Sequence, residues 1–162
     1  MIEGSYRFAG QDLVQLRIVY SDLIQLISAK GPFGGVIGFS EGGAVAASLL
    51  VQDALQPFHH FRCGIFFCSA TPMDPAIMET GIDRTLDFAA DGIMINIPTA
   101  HIWSRAGDFH PGMGQCLMSL CHEGSREEFV HNLGHDVPGS RSDEGLSGAL
   151  LAIERTIERA GS

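Results

Sequence analysis

The sequence predicts an α/β domain spanning residues 1–162, with a reduced, mostly parallel sheet of about four strands and helices on both faces. Short apolar runs alternate with longer stretches of helical periodicity along the chain. The short runs are apolar nearly throughout, as strands covered on both faces must be. The chain has 162 residues, 45% of them hydrophobic, with no internal repeat or low-complexity linker. One core suffices for that length, burying roughly 70% of the unfolded surface.

Asp12-Leu13-Val14-Gln15 has the pattern of a capping box, and Leu13, Leu16, Tyr20, Leu23, Ile24 and Ile27 follow at helical spacing. Gly31-Pro32 closes that helix. Val36 to Phe39 is a buried strand, and Glu41 to about Leu55 a helix apolar on nearly all sides, hence central. Phe61 to Cys68 is the second strand. Residues 70–97 carry short apolar pieces broken by Pro72, Pro75, Gly81 and Gly92. Met73, Ile77, Met78, Leu86, Phe88, Ile93 and Met94 in that stretch fit an apolar pocket or lid and fit a loop-covered core equally well. Pro98 to Ser104 is the third strand, Arg105 to Asp108 a loop, and a helix runs from Pro111 to near Cys121. Glu127 to His131 is the fourth strand, followed by a loop from Asn132 to Ser140. Leu146, Leu150, Ile153 and Ile157 form the stripe of a last amphipathic helix.

Ten Lys and Arg against nineteen Asp and Glu leave a net charge of −9. That balance excludes sequence-independent nucleic-acid binding, which needs clustered cations to release counterions. No apolar run approaches the roughly 20 residues that span a bilayer. Met1 is followed by polar Glu3, Gly4 and Ser5 rather than a basic and then apolar leader, so a cytoplasmic protein is expected. The four cysteines contain no C-x-x-C pair. Cys63 and Cys68 share the second strand on opposite faces, and Cys116 and Cys121 diverge around a helix, so all are expected reduced and mostly in the core.

Gly38-Phe39-Ser40-Glu41-Gly42 matches G-x-S-x-G, the nucleophile elbow. With 13 serines and 20 glycines in the chain, chance alone gives about 0.2 such matches. The context adds weight, because a buried strand ends at Phe39 and a helix opens at Glu41. The glycines are expected to make room for a strained serine, and the Glu41 N–H, at the positive end of the helix, to bind an oxyanion. A serine needs a base and an acid that orients it, in the chain order Ser, Asp or Glu, His. Asp108 follows the third strand and His135 the fourth. Parallel strands all end on one side, so both share the carboxyl edge with Ser40.

Other histidines fit less well. His131 and His135 are four apart, but the segment between them holds Gly134 and lacks the Glu of a zincin, so no metal is expected. His110 lies two residues after Asp108, too close to face it easily. His59, His60 and His122 precede strands and belong on the surface. Asp136 adjoins His135 and is poorly placed to reach its imidazole.

The run Gly31-Pro32-Phe33-Gly34-Gly35-Val36-Ile37-Gly38-Phe39-Ser40-Glu41-Gly42 resembles the elbow of the FSH-type serine hydrolases, a branch of the α/β-hydrolases. Ile97 to His101, Gly107 to Pro111, and His131-Asn132-Leu133-Gly134-His135-Asp136-Val137-Pro138 continue the resemblance in order, from Leu23 onward. It implies a three-layer α/β-hydrolase-like fold and an esterase or thioesterase with Ser40 as nucleophile, Asp108 as acid and His135 as base. No cofactor is implied. The family includes fungal enzymes that release or trim polyketides, so the expected partner is a small-molecule or carrier-protein-bound acyl substrate.

The sequence departs from that family in two ways. Glu41 replaces the commoner Gln after the nucleophile. Nothing before Ser40 matches the family's first apolar strand and His-Gly turn, which supplies a second oxyanion donor. Losing one donor typically costs about 2.7–4 kcal/mol of transition-state stabilisation. The alternative expectation is therefore a catalytically weak or inactive member acting as a binding or assembly module. Without an earlier strand, Val36 to Phe39 also becomes a sheet edge, expected to drive self-association unless the chain is a truncated piece.

Overall fold

The computed structural model describes residues 13–78, 80–82, 84–108 and 112–162. Among them run α1 (Leu13–Lys30), β1 (Gly35–Phe39), α2 (Glu41–Leu55), β2 (Cys63–Phe67), α3 (Pro75–Met78), α4 (Phe88–Asp91), β3 (Thr99–Ser104), α5 (Met113–Ser119), β4 (Arg126–His131) and α6 (Asp143–Ala160). The strands form a four-stranded sheet in the order β1-β2-β3-β4, and every neighbouring pair is parallel.

Alternation along β2 separates two apolar layers. Phe66 joins Leu16, Tyr20 and Ile27 of α1, Ala44, Ala47, Leu50 and Val51 of α2, and Leu117 of α5 in the larger core. Ile65 points to the opposite face and packs with Ala100, Ile102, Ala149 and Ala152, the last two on α6. The fold therefore has three layers, with helices on both sides of the sheet. Two polar contacts lock the larger core: the Tyr20 hydroxyl donates to the Ser48 carbonyl at 2.8 Å, and Ser48 Oγ accepts the Met73 N–H at 2.9 Å. Asp53, at the end of α2, accepts the Phe58, His59 and Phe61 N–H groups and so shapes the entry to β2.

Much of the 70–97 stretch is core. Met73, Met78, Leu86 and Ile95 are buried, and Met94 packs against them. Phe88 and Ile93 are exposed. Besides the single turns α3 and α4, the stretch is stitched by isolated bridges, Met73 to Thr85 and Ile95 to Cys121. Arg84 adds ion pairs to Asp74 and Asp91.

Several expected boundaries shift. β2 stops at Phe67 and leaves Cys68 outside it, at a left-handed φ of 40°. The chain must turn there, since Cys68 N–H donates to the Ile102 carbonyl and Ala70 N–H to the Ser40 carbonyl. β4 begins one residue early, at Arg126, after a 3₁₀ turn over Glu123–Ser125. All four cysteines are unpaired thiols, and Cys116 is exposed rather than in the core. The expected Asp12 cap and the Pro111 helix start lie outside the described residues, as does His110.

Among the described residues β1 is an edge of the sheet. Ile37 is 69% exposed and Phe39 41%. Beside them an open apolar groove of about 350 Å³ is lined by Val36, Ile37, Cys63, Ile65 and Ile157 among others.

Candidate active site

Ser40 stands between β1 and α2 with φ 55° and ψ −125°. A non-glycine residue pays about 1–3 kcal/mol for such a conformation, so its surroundings must hold it. They do so on both sides. Ser40 N–H donates to the Phe67 carbonyl at 3.0 Å, and the Ser40 carbonyl accepts from Gly43 at 3.1 Å and Ala70 at 3.2 Å. The tight glycines are Gly38 and Gly43 rather than the Gly38 and Gly42 of the motif. A Cβ on Gly38 would lie 2.4 Å from Gly43 Cα, and one on Gly43 would lie 2.2 Å from Ser69 Oγ. Gly42 would meet nothing within 4 Å. The elbow pattern hides this because its second glycine is one residue away from the contact.

Asp108 follows β3 through Arg105-Ala106-Gly107, and His135 follows β4 through Asn132-Leu133-Gly134. Both Gly107 (φ 73°) and Gly134 (φ 74°) take left-handed conformations that favour glycine. The two turns touch: a Cβ on Gly107 would sit 3.3 Å from Gly134 Cα. Ser104, at the end of β3, ties them together. Its hydroxyl donates to the Ala106 carbonyl at 2.7 Å and accepts the Gly134 N–H at 3.1 Å. No local motif marks Ser104 in the sequence.

This framework joins the three distant side chains. His135 Nε2 lies 2.8 Å from Ser40 Oγ, and His135 Nδ1 lies 2.7 Å from Asp108 Oδ1. With the carboxylate accepting at Nδ1, the imidazole carries its proton there and offers the Nε2 lone pair to the serine. The side chains of His135 and Asp108 are only 13% and 10% exposed, which weakens competition from water. Phe39 packs on the imidazole, with ring centroids 4.9 Å apart. Glu41 opens α2 directly after the serine.

The other polar candidates fall elsewhere. His131 is buried, its Nδ1 accepts the Leu133 N–H, and burial lowers its pKa. His59 accepts the Phe33 N–H, while His122 and His60 are exposed. Asp136 pairs with Arg141 and accepts the Val137 N–H. One neighbour was not expected at all. Cys68 places its Sγ 3.6 Å from the Asp136 carbonyl and 3.8 Å from that of Gly134. Burial, then the Asp108 charge, pushes its thiol up to about 11.

Residues 9–145 match the family model "Serine hydrolase (FSH1)". The chain belongs to that family. Among its relatives, Esterase FPY3 of Fusarium mangiferae is 31% identical over 140 residues, covering 86% of this chain and 63% of that protein. Esterase FUS5 of Gibberella fujikuroi is 29% identical over 131 residues, covering 80% and 50%. Hydrolase phiM of Talaromyces stipitatus is 27% identical over 136 residues, covering 79% and 52%. The chain thus spans about half to just under two thirds of the length of these relatives. A solved α/β hydrolase from a lagoon-sediment metagenome superposes with a TM-score of 0.54 at 16% identity, covering 93% of this chain and 74% of that one. The chain therefore has the α/β-hydrolase fold. No helix among the described residues is long and apolar enough to cross a membrane.

Proposed function

We propose that the chain, as one domain over residues 1–162, hydrolyses carboxylic esters or thioesters through an acyl-enzyme. The observation that carries the reading is the unbroken relay from Ser40 Oγ through His135 to Asp108, with contacts of 2.8 and 2.7 Å. In the first step Ser40 Oγ attacks the acyl carbonyl while His135 Nε2 takes its proton. Asp108 steadies the imidazolium by accepting from Nδ1. The tetrahedral oxyanion receives the backbone N–H of Glu41, at the positive end of α2. The imidazolium then protonates the departing alcohol or thiol. A water, deprotonated by His135, releases the acid and restores Ser40.

The substrate we propose is a polyketide-type acyl group, free or held on a carrier protein, and the compartment the cytoplasm. The fungal esterases and hydrolase to which the chain is similar support the ester part of this reading, and the four free thiols suit a reducing compartment. We also propose that β1 pairs with a second copy of the chain, because its Ile37 and the adjoining groove offer apolar surface beside a strand edge.

A fluorophosphonate probe with p-nitrophenyl ester hydrolysis tests the reaction. Labelling at Ser40 that is lost in Ser40→Ala and His135→Ala, together with turnover, is the expected result. A wild-type protein that neither labels nor turns over ester would instead favour a binding or assembly module.

A further inference from the structure

Beside the relay lies a donor that the proposed hydrolysis does not use, the Cys68 thiol. The Cys68 sulfur, an Asp108 oxygen and a His135 ring nitrogen all lie within 4.8 Å of one another. A tetrahedral zinc ion, with bonds of about 2.0–2.3 Å, needs its ligand atoms roughly 3.5 Å apart, so closing the set takes shifts of about an ångström. The backbone fixes where the thiol sits. Its residue turns left-handed directly after β2, and its sulfur faces the carbonyls on either side of His135, those of Gly134 and Asp136.

We propose that Cys68, Asp108 and His135 form an inhibitory site for a thiophilic divalent cation of the Zn²⁺ or Cd²⁺ type; the inhibition rests on the reading of His135 as base. The donor set is one thiolate, one carboxylate and one imidazole. That combination selects zinc-like ions over Mg²⁺ and Ca²⁺, which require mostly oxygen ligands. On binding, the Cys68 thiol releases its proton to solvent and its sulfur bonds the cation, as do an Asp108 oxygen and His135 Nδ1. The proton displaced from Nδ1 moves to Nε2 through solvent. Two negative ligands balance the two positive charges, so the buried complex is neutral and one proton leaves overall.

Inhibition follows from the tautomer. With the cation on Nδ1, the ring nitrogen facing Ser40 carries a proton and has no lone pair to accept another. The carboxylate that would stabilise an imidazolium is occupied as well. The cation therefore switches off the base without entering the space above the serine.

Cd²⁺ titration of the purified protein tests the site by two independent readouts. The first is the ultraviolet thiolate-to-cadmium charge-transfer band, which requires no activity. The second is p-nitrophenyl ester hydrolysis, each variant being compared with its own metal-free rate. We expect the wild type to develop the band at one equivalent and to lose activity about tenfold or more, with EDTA reversing both. Cys116→Ser, which removes the exposed thiol, should keep the band. Cys68→Ser and Cys68→Ala, each checked for folding by thermal melting, should lose it and resist inhibition. A wild type without a band in excess Cd²⁺, or equal bands in wild type and folded Cys68→Ser, would overturn the site. A Cys68-dependent band in a protein without esterase activity would uphold the site while sinking the hydrolase reading. Inhibition that persists unchanged in folded Cys68→Ser would place the inhibitory cation elsewhere and overturn the proposal.

Discussion

His135 Nε2 and Ser40 Oγ lie 2.8 Å apart, although 95 positions separate them in the chain. The contact requires three turns to arrive together: the elbow after β1, the Asp108 turn after β3 and the His135 turn after β4. Replacing the hydroxyl or the imidazole should therefore abolish reaction while leaving the fold intact. Ser40→Ala and His135→Ala are expected to lower kcat by about 10⁴-fold or more, and Asp108→Asn by about 10⁴-fold, with unchanged thermal melts. Ester turnover and circular dichroism on the same preparations check this.

The two neighbouring glycines of α2 should behave oppositely. At Gly43 an added methyl meets the Ser69 side chain at 2.2 Å, so Gly43→Ala should destabilise by about 1–3 kcal/mol through overpacking. At Gly42 the methyl meets open space, and Gly42→Ala should stabilise by about 0.5–1 kcal/mol, as alanine does for glycine within a helix. Urea melts of the two variants separate these outcomes.

Ser104→Ala removes the hydroxyl shared by the Asp108 and His135 turns, leaving the Ala106 carbonyl and the Gly134 N–H without it. A loss of about 0.5–1.5 kcal/mol is expected, because Ser104 is buried while the Gly134 N–H is half-buried and Ala106 is exposed. Catalysis should suffer in kcat rather than KM, because the hydroxyl touches the loops and not the substrate. Steady-state kinetics beside thermal melts would show both effects.

His101 gives the fold an acid limit. Burial, assisted by the Arg126 charge, lowers its pKa to about 3, against an unfolded value of about 6.5. The unfolded chain thus binds a proton between these values while the folded chain does not. The resulting penalty grows as pH falls through that window, reaching a few kcal/mol. Above about pH 7 it vanishes. Urea midpoints at pH 7 and pH 4 should differ less in His101→Gln than in the wild type.

Light scattering tests the strand edge. Ile37 is 69% exposed on β1, so Ile37→Lys should shift a self-associating protein toward monomer by placing charge where a second strand would pair. A wild type that is monomeric at every concentration would refute the edge pairing.

How much of this was legible beforehand depended on whether the signal was local. The strands around Val36 and Ile102 could be read because apolar runs bounded by turn residues are short-range patterns. Ser40, Asp108 and His135 could be placed on one rim because parallel strands share a direction. Cys68 could not, since it sits at φ 40° just past an apolar run that reads as its own strand. Ser104 and Gly43 escaped for a related reason. Their importance lies in partners 30 and 26 positions away, Gly134 and Ser69 respectively, and nothing in their immediate sequence reports it. The 70–97 stretch was ambiguous because its apolar residues share no period, and its ordering comes from single bridges and the Arg84 ion pairs.

The abutment of Gly107 on Gly134, with the Ser104 hydroxyl between their turns, couples two segments that would otherwise fluctuate separately. Any breathing of that corner carries carboxylate and imidazole along as a single body. The serine, anchored on the opposite side to Phe67 and Ala70, stays behind. The vulnerable joint of the relay is thus the gap between hydroxyl and imidazole, and the orientation of the ring survives its opening.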